Sequence, residues 1–275
     1  MTSKVAIVRG ERGHKPVFEA LELVNYKSAL AGYTSIIIKV NFIAVQTWDT
    51  GATTDPMVVE AIIRKLKDLP VKVFIVESDA TVTNADKAFE FTGMRQMAEN
   101  NGVECVNLRN VKDKVKIIIP NGETLNSITV PRLVRDSAII NVAKLKTHNL
   151  TGVTLGLKNM FGLLPDKMKG KYHLRGINKV IVDINVVLKP VLTVIDGFVG
   201  MEGKGPSNGT PVKMDLIIDG TDVVATDATA SRIMGFDPHK INHILKAYEK
   251  GLGNIDDIQI LGEKLENVIR PFQRS

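Results

Sequence analysis

Cysteine is almost missing from this chain of 275 residues, in which Cys105 is the single one. One cysteine excludes an internal disulfide, and it excludes any zinc or iron–sulfur site built from four cysteines of the same chain. Cys105 stands in the apolar stretch VECVNL, which is typical of a strand. We therefore expect it to be a buried packing residue rather than a reactive thiol.

Long apolar runs are missing as well. No stretch approaches the roughly 18 apolar residues that a membrane-spanning helix needs. The first residues, MTSKVAIVRG, lack the apolar run of a signal peptide. These absences predict a cytoplasmic protein with no membrane partner.

Neither long runs of basic residues nor many aromatic rings are present, although the formal net charge is +6. Aromatic residues make up only 5% of the chain. A groove for nucleic acid, with rings interleaved among basic side chains, is therefore the least favoured function. The positive surplus favours a small anionic ligand as partner, and the composition is compatible with an oligomer.

Strands and helices alternate along the first half of the sequence. The stretches KVAIV (4–8), SIIIKVNF (35–42) and VKVFIVES (71–78) are apolar and β-branched, which predicts buried strands. Asp55 and Pro56 are typical of the first residues of a helix, and an apolar face at helical spacing follows them. This alternation predicts a parallel sheet covered by helices on both faces.

The second half returns to the same alternation after a predicted hairpin at 111–130. No internal repeat and no low-complexity linker is visible. We therefore expect an α/β protein of two lobes, with mainly parallel sheets covered by helices and a cleft between the lobes. The predicted lobes are residues 1–135 and 136–275, and the last strands are free to return to the first lobe.

Polar reactive groups concentrate between Asn141 and His173, where the chain reads NVAKLKTHNLTGVTLGLKNMFGLLPDKMKGKYH. The stretch SAIINVAKL (137–145) predicts a buried strand, so Lys146 and His148 should lie at its carboxyl end. Ligands of open α/β sheets bind at that end. We expect His148 to be an acid–base group, because the ordinary pKa of histidine lies near neutrality.

The stretch LTGVTLGLKNMFG (150–162) combines Gly and Thr with apolar residues, which favours close packing against other backbone. Loss of solvation there would lower the pKa of Lys158 toward nucleophilic use, and plain anion binding is the alternative. Lys146 and Asn159 are candidate ligand-binding residues beside it. His173 is a candidate metal ligand, with an ordinary loop histidine as the alternative.

The loop NFIAVQTWDTGATTDP (41–56) brings Thr53 and Thr54 to a helix N-terminus. Free backbone N–H groups and hydroxyls at such a point can hold a phosphate or a carboxylate. The alternative is that Thr54 and Asp55 only cap the helix.

Glycines cluster in VIDGFVGMEGKGPSNGT (194–210), a stretch that is neither a GxGxxG fingerprint nor a phosphate-binding P-loop. We expect Gly200, Gly203 and Gly205 to let the backbone approach a ligand, with Asp196 at the preceding strand end. A surface loop without a ligand is the alternative.

Two further sets of residues have ordinary structural explanations. Asp227 precedes Ala228 and an apolar helical pattern, which predicts a helix cap, with a ligand role as the alternative. His239 and His243 stand four residues apart on a predicted helix, but the HExxH motif is missing. We expect these two histidines to be solvated helix residues rather than metal ligands.

Three stretches resemble the DUF362 family of uncharacterised proteins over about residues 36–235. They are KLKTHNLTGVTLGLKNMFGLLPDKMKGKYH, VIDGFVGMEGKGPSNGT and TDVVATDATASRIMGFDP. Many members of that family are described as iron–sulfur proteins because of an added ferredoxin-like module. A chain with one cysteine is a short form without that module, so no intrinsic iron–sulfur cluster is expected.

The order His148, Lys158, His173 is also distantly similar to the nickel-pincer lactate racemase family. There a histidine precedes the lysine that holds a pyridinium cofactor, and a later histidine ligates nickel. The stretch ATTDPMVVEAIIRKL resembles that family's loop for the cofactor phosphate. The chain departs from the pattern at Asp55, where that loop has arginine, and in VESDATVT, which lacks the second acid–base histidine. The resemblance implies a shared two-lobed fold more than a shared reaction. It also makes a divalent metal or a tethered cofactor a candidate bound group.

Residues and resemblance together predict an enzyme or a cofactor-handling protein for a small anionic ligand that carries a carboxylate or a phosphate. Its cleft would be walled by the 46–56 loop, the 144–173 segment and the 196–209 loop. The alternative is a non-catalytic binding or assembly module that docks an acidic partner. Salt would distinguish the two, because a docking surface weakens with ionic strength far more than a buried site does.

Overall fold

A computed structural model describes residues 2–81 and 83–274. The strands are β1 Ser3–Arg9, β2 Ser35–Lys39, β3 Lys72–Glu77, β4 Glu104–Asn107, β5 Lys114–Ile118, β6 Ser127–Pro131, β7 Ala138–His148, β8 Gly152–Thr154, β9 Leu192–Glu202, β10 Thr210–Gly220 and β11 Ile258–Gly262. The α-helices are α1 His14–Leu23, α2 Tyr26–Ala29, α3 Pro56–Leu66, α4 Ala85–Phe91, α5 Met94–Asn100, α6 Arg132–Asp136, α7 Gly156–Asn159, α8 Gly170–His173, α9 Ile177–Val187, α10 Val223–Ile233 and α11 Asn242–Glu249. Short 3₁₀ turns cover Trp48–Thr50, Met160–Leu163, Pro238–Lys240 and Leu265–Asn267.

One central sheet of nine strands organises the fold, in the order β11-β1-β10-β9-β7-β2-β3-β4, with β8 paired to β7. The neighbours from β9 to β4 all run parallel, as do β1 and β11, whereas β10 is antiparallel to both β1 and β9. The predicted α/β class with a largely parallel sheet is confirmed. Strands of both predicted lobes join this one sheet, and the division at residue 135 stays a prediction.

Two apolar cores cover the two faces of the sheet. Val5 and Ile7 of β1 belong to one core, and Ala6 and Val8 belong to the other, because successive side chains of a strand point to opposite faces. Helices α9, α10 and α11 contribute to the first core, and helices α1, α3, α4 and α5 contribute to the second. Cys105 is buried in the second core, as the sequence predicts.

The hairpin predicted at 111–130 is present as β5 and β6, which form a separate two-stranded sheet. The predicted helix that carries His239 and His243 is interrupted, since Pro238–Lys240 form a 3₁₀ turn and α11 begins only at Asn242. His243 is completely buried, so the expectation that it is solvated is wrong. Within the described residues, no helix combines the length and the apolar character needed to cross a membrane.

The ends of three adjacent parallel strands locate the candidate site. β2, β3 and β7 end at Lys39, Glu77 and His148, and their carboxyl ends meet at the same edge of the sheet. Every residue of β7 is buried, so Lys146 and His148 lie at the end of a core strand, as predicted. This edge is where a parallel sheet offers polar groups to a ligand.

Candidate functional site

A cavity of about 170 Å³ opens at the carboxyl ends of β2, β3 and β7. It gathers five residues predicted from the sequence, which are Lys146, His148, Lys158, Asn159 and His173. The other lining residues are Lys39, Asn41, Phe42, Ile43, Glu77, Ser78, Ala80, Thr81, Thr154, Phe161, Gly162, Lys169 and Pro206. Four lysines and two histidines therefore face one carboxylate among the described lining residues.

That carboxylate is already bonded within the protein. Lys39 Nζ donates to Glu77 Oε2 at 2.8 Å, and the backbone N–H of Phe42 donates to the same oxygen at 3.0 Å. The backbone N–H of Ser78 donates to Glu77 Oε1 at 2.9 Å. A Cβ on Gly162 would lie only 2.5 Å from Lys39 Nζ, so this glycine lets the backbone cover the pair. Glu77 thus neutralises Lys39 and leaves the other cavity amines without a counter-ion.

Asn159 joins the strand ends below the cavity. Its Oδ1 accepts from Asn41 Nδ2 at 2.7 Å and from Lys39 Nζ at 3.3 Å. Its Nδ2 donates to Asn141 Oδ1 at 2.8 Å. Because these bonds span β2, the residues after it and β7, Asn159 ties the end of α7 to the sheet.

The charge of Lys158 affects the pKa values of several other groups in the site. Its Nζ has no hydrogen-bond or ion-pair partner within residues 2–81 and 83–274. Burial, with the nearby charges of Lys169 and Lys39, lowers the pKa of the Lys158 amine to about 8. The charge of Lys158 in turn lowers the pKa values of Lys146, His148 and His173. An anion bound here would relieve all these repulsions together.

The two neighbouring amines each have one polar acceptor. Lys146 Nζ donates to the carbonyl of Ala52 at 2.6 Å, and burial with the charge of Lys158 lowers its pKa well below the ordinary value. Lys169 Nζ donates to Ser78 Oγ at 2.7 Å, and burial lowers its pKa to about 8. An amine whose pKa is near 8, such as that of Lys169, can exchange protons near that pH.

The expected near-neutral pKa of His148 is wrong in this fold. Burial is the largest cause of the change, followed by the charges of Lys158 and Lys146, and together they lower the His148 pKa to about 2. Its Nδ1 accepts from the backbone N–H of Leu150 at 3.0 Å, so the neutral ring carries its proton on Nε2. The imidazole is therefore a hydrogen-bond donor at ordinary pH, and its acid–base role stays a prediction.

His173 lines the cavity from α8. Its ring contacts Phe161 edge to face at 6.2 Å between centroids, and its buried Nδ1 has no hydrogen-bond partner in the part of the chain that the structure describes. Among the residues that the structure describes, no three His, Cys, Asp or Glu side chains lie close enough to hold a metal ion. The metal role of His173 stays a prediction.

Asp227 fastens the helix that carries Lys158. It lies inside α10 rather than at its start, and the side chain that caps α10 belongs to Asp222, which accepts from the N–H groups of Val224 and Ala225. The predicted cap at Asp227 is therefore wrong for α10. Instead, its carboxylate accepts from the N–H groups of Gly156 and Leu157 at 2.7 and 2.8 Å, at the start of α7.

The predicted anion cradle at the start of α3 is filled by protein groups. Thr53 Oγ1 donates to the carbonyl of Gln46 and Thr54 Oγ1 to that of Val142, both at 3.0 Å. The carboxylate of Asp55 caps α3 by accepting from the N–H of Met57 at 2.9 Å. Asp55 therefore caps α3, whereas the Thr54 hydroxyl bonds to β7 instead of the helix. The 46–56 loop is not among the cavity's described lining residues, and the ligand-binding role of Thr53 and Thr54 stays a prediction.

The predicted glycine loop is mostly strand, because β9 continues to Glu202. A Cβ on Gly200 would lie 2.8 Å from the carbonyl oxygen of Leu145, and one on Gly205 would overlap the backbone of Thr147. Gly203 accepts from Thr147 Oγ1 at 3.0 Å. These glycines let β7 and the 203–209 turn approach each other, so their backbone contacts are with protein rather than with the cavity.

Asp196 is buried beside the cavity without lining it. Lys144 Nζ donates to Asp196 Oδ2 at 2.8 Å, and the backbone N–H of Asp55 donates to the same oxygen at 2.8 Å. Its other oxygen accepts from the N–H of Phe198 at 3.2 Å. The ligand-binding role expected of Asp196 stays a prediction, while its contacts explain it as the partner of Lys144.

Three charged residues of the cavity were not predicted from the sequence, namely Lys39, Glu77 and Lys169. A signal for the first two was present, because each is a charged residue within an apolar β-branched stretch, SIIIKVNF or VKVFIVES. A charge placed on a buried strand needs an opposite charge, so the two could have been expected to pair. Lys169 had no comparable signal within DKMKGK.

The family model described as a domain of unknown function (DUF362) matches residues 36–232. This chain belongs to the DUF362 family. The DUF362 match covers every cavity residue named above, including Lys39, Glu77 and Lys158.

A thylakoid-associated protein of Synechocystis sp. is 27% identical to this DUF362 chain over 217 residues, which is 75% of the chain. The aligned part is 64% of that relative, so the chain spans less than two thirds of its length. A crystal structure of a Thermotoga maritima protein is 14% identical, with a TM-score of 0.43, and covers 89% of this chain and 59% of the other.

Proposed function

We propose that this DUF362 protein binds a small anion with a carboxylate or phosphate group in the cavity, as an enzyme or a cofactor-handling protein. The observation that carries the proposal is the ammonium of Lys158, which has no partner among the described residues and lies beside Lys146 and Lys169. Glu77, the one carboxylate among the described lining residues, is already bonded to Lys39. A bound anion would supply the missing negative charge.

The cavity offers complementary donors for such an anion. Lys158 and Lys169 provide ammonium groups, and His148 provides a neutral ring with its proton on Nε2. Because the pKa values of both lysines are lowered to about 8, an anion would bind together with protons that restore their charges. Affinity should therefore fall as the pH rises above about 8.

Titration calorimetry with inorganic phosphate and with acetate tests this function. Lys158→Met should weaken binding by at least about tenfold, or about 1.4 kcal/mol. Lys171→Met is the matched control, because Lys171 is an exposed lysine of α8 that pairs with Asp166 at 2.8 Å and does not line the cavity. Equal affinity of the wild type and Lys158→Met, or affinity that is constant from pH 7 to 9, would contradict the proposal.

A second candidate function is a module that docks an acidic partner. Leu174 is 92% exposed and Met168 is 78% exposed, and both lie beside the basic residues Lys171 and Arg175. The Synechocystis relative is named for an association with thylakoids. Docking through this surface should weaken steeply between 50 and 500 mM salt (roughly a threefold fall in Debye length), whereas binding of phosphate inside the cavity should change little.

A metal at His173 is a finer proposal, supported by the unpartnered Nδ1 of that ring and by the order His148, Lys158, His173. Native mass spectrometry with metal analysis, on protein purified from its own host, tests it. Retention of the same metal content in His173→Ala would contradict it.

A further inference from the structure

We propose that Lys158 is a nucleophile that forms an imine with the carbonyl carbon of a small anionic aldehyde or 2-oxo acid. This inference rests on the proposed anion site and names its substrate class. Its distinguishing observation is that the Lys158 amine is both inside the cavity and free of any acceptor among the described residues.

The other buried lysines of this region are each engaged. Their acceptors are Glu77 for Lys39, Asp196 for Lys144, the carbonyl of Ala52 for Lys146 and Ser78 Oγ for Lys169. An amine that donates to a fixed protein acceptor is restricted in the directions in which its lone pair can point. Lys158 therefore has the greatest freedom among these lysines to present its lone pair.

The protonation state of Lys158 also suits this chemistry. Burial and the charges of Lys169 and Lys39 lower its pKa to about 8, so roughly a tenth of the amine is neutral at pH 7. An exposed lysine with a pKa near 10.4 is neutral in fewer than about one molecule in a thousand at that pH. Desolvation next to other cations is a general way of activating a lysine for imine formation.

The step needs no oxidant or reductant. The Lys158 nitrogen lone pair forms a C–N bond to the carbonyl carbon, while the C=O π electrons move to oxygen, which takes up a proton. The nitrogen of this carbinolamine then loses its proton, its lone pair forms the C=N bond, and the hydroxyl leaves as water after protonation. Lys169, with its pKa of about 8, is the cavity group suited to give and take these protons.

An anionic substituent on the substrate follows from the charges around the amine. Lys169 and Lys39 disfavour an additional positive charge at Lys158. A protonated imine carries such a charge, so a carboxylate or a phosphate on the same molecule would compensate it. A neutral aldehyde would lack this compensation.

Reductive trapping tests the inference. The protein is incubated with pyruvate and sodium cyanoborohydride at pH 7.5, and modified lysines are located by peptide mass spectrometry. Acetaldehyde has the carbonyl without the anion, and acetate has the anion without the carbonyl. Lys158→Arg keeps a cation and removes the nucleophile, and Lys171→Arg is the control at an exposed lysine of α8.

We expect pyruvate to modify Lys158 at least about tenfold faster than Lys171, because the Lys158 amine lies in the cavity with its pKa lowered to about 8, whereas Lys171 pairs with Asp166 outside it. Lys158→Arg should abolish the fast modification, Lys171→Arg should leave it unchanged, and acetaldehyde should modify Lys158 more slowly than pyruvate. The unfolding temperature of Lys158→Arg is measured by circular dichroism. A value equal to that of the wild type shows that the variant retains its fold. If that variant unfolds, protection of wild-type Lys158 by excess acetate replaces it as the test.

The possible failures are distinguishable. If modification is spread evenly over surface lysines, or does not occur, the proposed imine at Lys158 is wrong. Binding of acetate and phosphate would in that case still support the anion site. Absence of both trapping and anion binding would overturn the imine and the proposed function together.

Discussion

Lys144 and Lys146 lie two residues apart on β7, and both are completely buried, but their surroundings differ. Lys144 forms an ion pair of 2.8 Å with Asp196, which is also buried. Within residues 2–81 and 83–274, Lys146 has the carbonyl of Ala52 as its one acceptor. The positive charge of Lys144 is thus compensated by a carboxylate, whereas Lys146, on the same face of the strand, belongs to a cluster of lysines without such a partner among the described residues.

The pairing of β7 with β9 produces this difference. Lys144 lies opposite Asp196, but the register then shifts, and Lys146 lies opposite Met201. β9 therefore contains four residues, Gly197–Gly200, between partners that are separated on β7 by Leu145 alone. As a result of this irregularity, Lys146 lies opposite an uncharged methionine instead of an acidic residue.

The comparison separates two uses of a buried charge. A buried cation that is paired is a structural element, and removal of one partner leaves the other charge uncompensated. A buried amine that lacks a counter-ion loses its proton more readily and is available to a ligand. Lys144 illustrates the first use, and Lys146, Lys158 and Lys169 illustrate the second.

The largest expected effect is a difference in the free energy of unfolding between variants of Lys144 and Lys146. Lys144→Met should cost about 3–5 kcal/mol, because the carboxylate of Asp196 stays buried without its cation. Lys146→Met should cost less than about 1 kcal/mol, because loss of the hydrogen bond to the Ala52 carbonyl is offset by removal of the repulsion from Lys158 and Lys144. Urea unfolding of both variants at pH 7 measures the difference, and equal losses would break the comparison.

An intermediate effect is expected at Asp227, whose carboxylate anchors α7 behind Lys158. Burial raises its pKa to about 7 despite the N–H groups of Leu157 and Gly156. Since its unfolded pKa is near 3.9, the folded state holds this proton longer than the unfolded state does. Its contribution to stability is complete below about pH 4 and is lost as the pH rises to about 7, at up to about 1.4 kcal/mol per pH unit.

Asp227→Asn should therefore make the free energy of unfolding less dependent on pH between 4 and 7. Urea unfolding at several pH values measures this slope. Asp257→Asn, at an exposed aspartate, is the control and should follow the wild type. An unchanged slope in Asp227→Asn would show that this carboxyl does not hold its proton in the fold.

The smallest change is expected in the protonation of His148, because its ring should remain neutral from pH 5 to 8. Burial and the charges of Lys158 and Lys146 lower its pKa to about 2, and Nδ1 accepts from Leu150 N–H. Long-range ¹⁵N–¹H spectra should show one neutral ring, protonated on Nε2, throughout this range. In denaturant the same ring should titrate near 6.5. Titration near 6.5 in the folded protein would restore the acid–base role expected from the sequence.

Much of the frame was predictable from local patterns. Apolar β-branched stretches located β1, β2, β3 and β7, and Asp55 with Pro56 located the start of α3. The contacts of the glycines at 197–209 were not predictable, because a glycine that admits a ligand and one that admits neighbouring backbone look the same in a sequence. Gly200 and Gly205 contact β7 closely, and the ligand-binding role expected of them stays a prediction.

The sequence by itself determined that this is an α/β chain with a fully buried β7, and that Lys146 and His148 lie at its carboxyl end. Those features depend on periodicity over a few residues and on the shared direction of parallel strands. Only the tertiary structure decided which amines are paired and how their pKa values change. Pairing depends on the register of β7 against β9 and on contacts such as Lys39 with Glu77, between residues far apart in the chain.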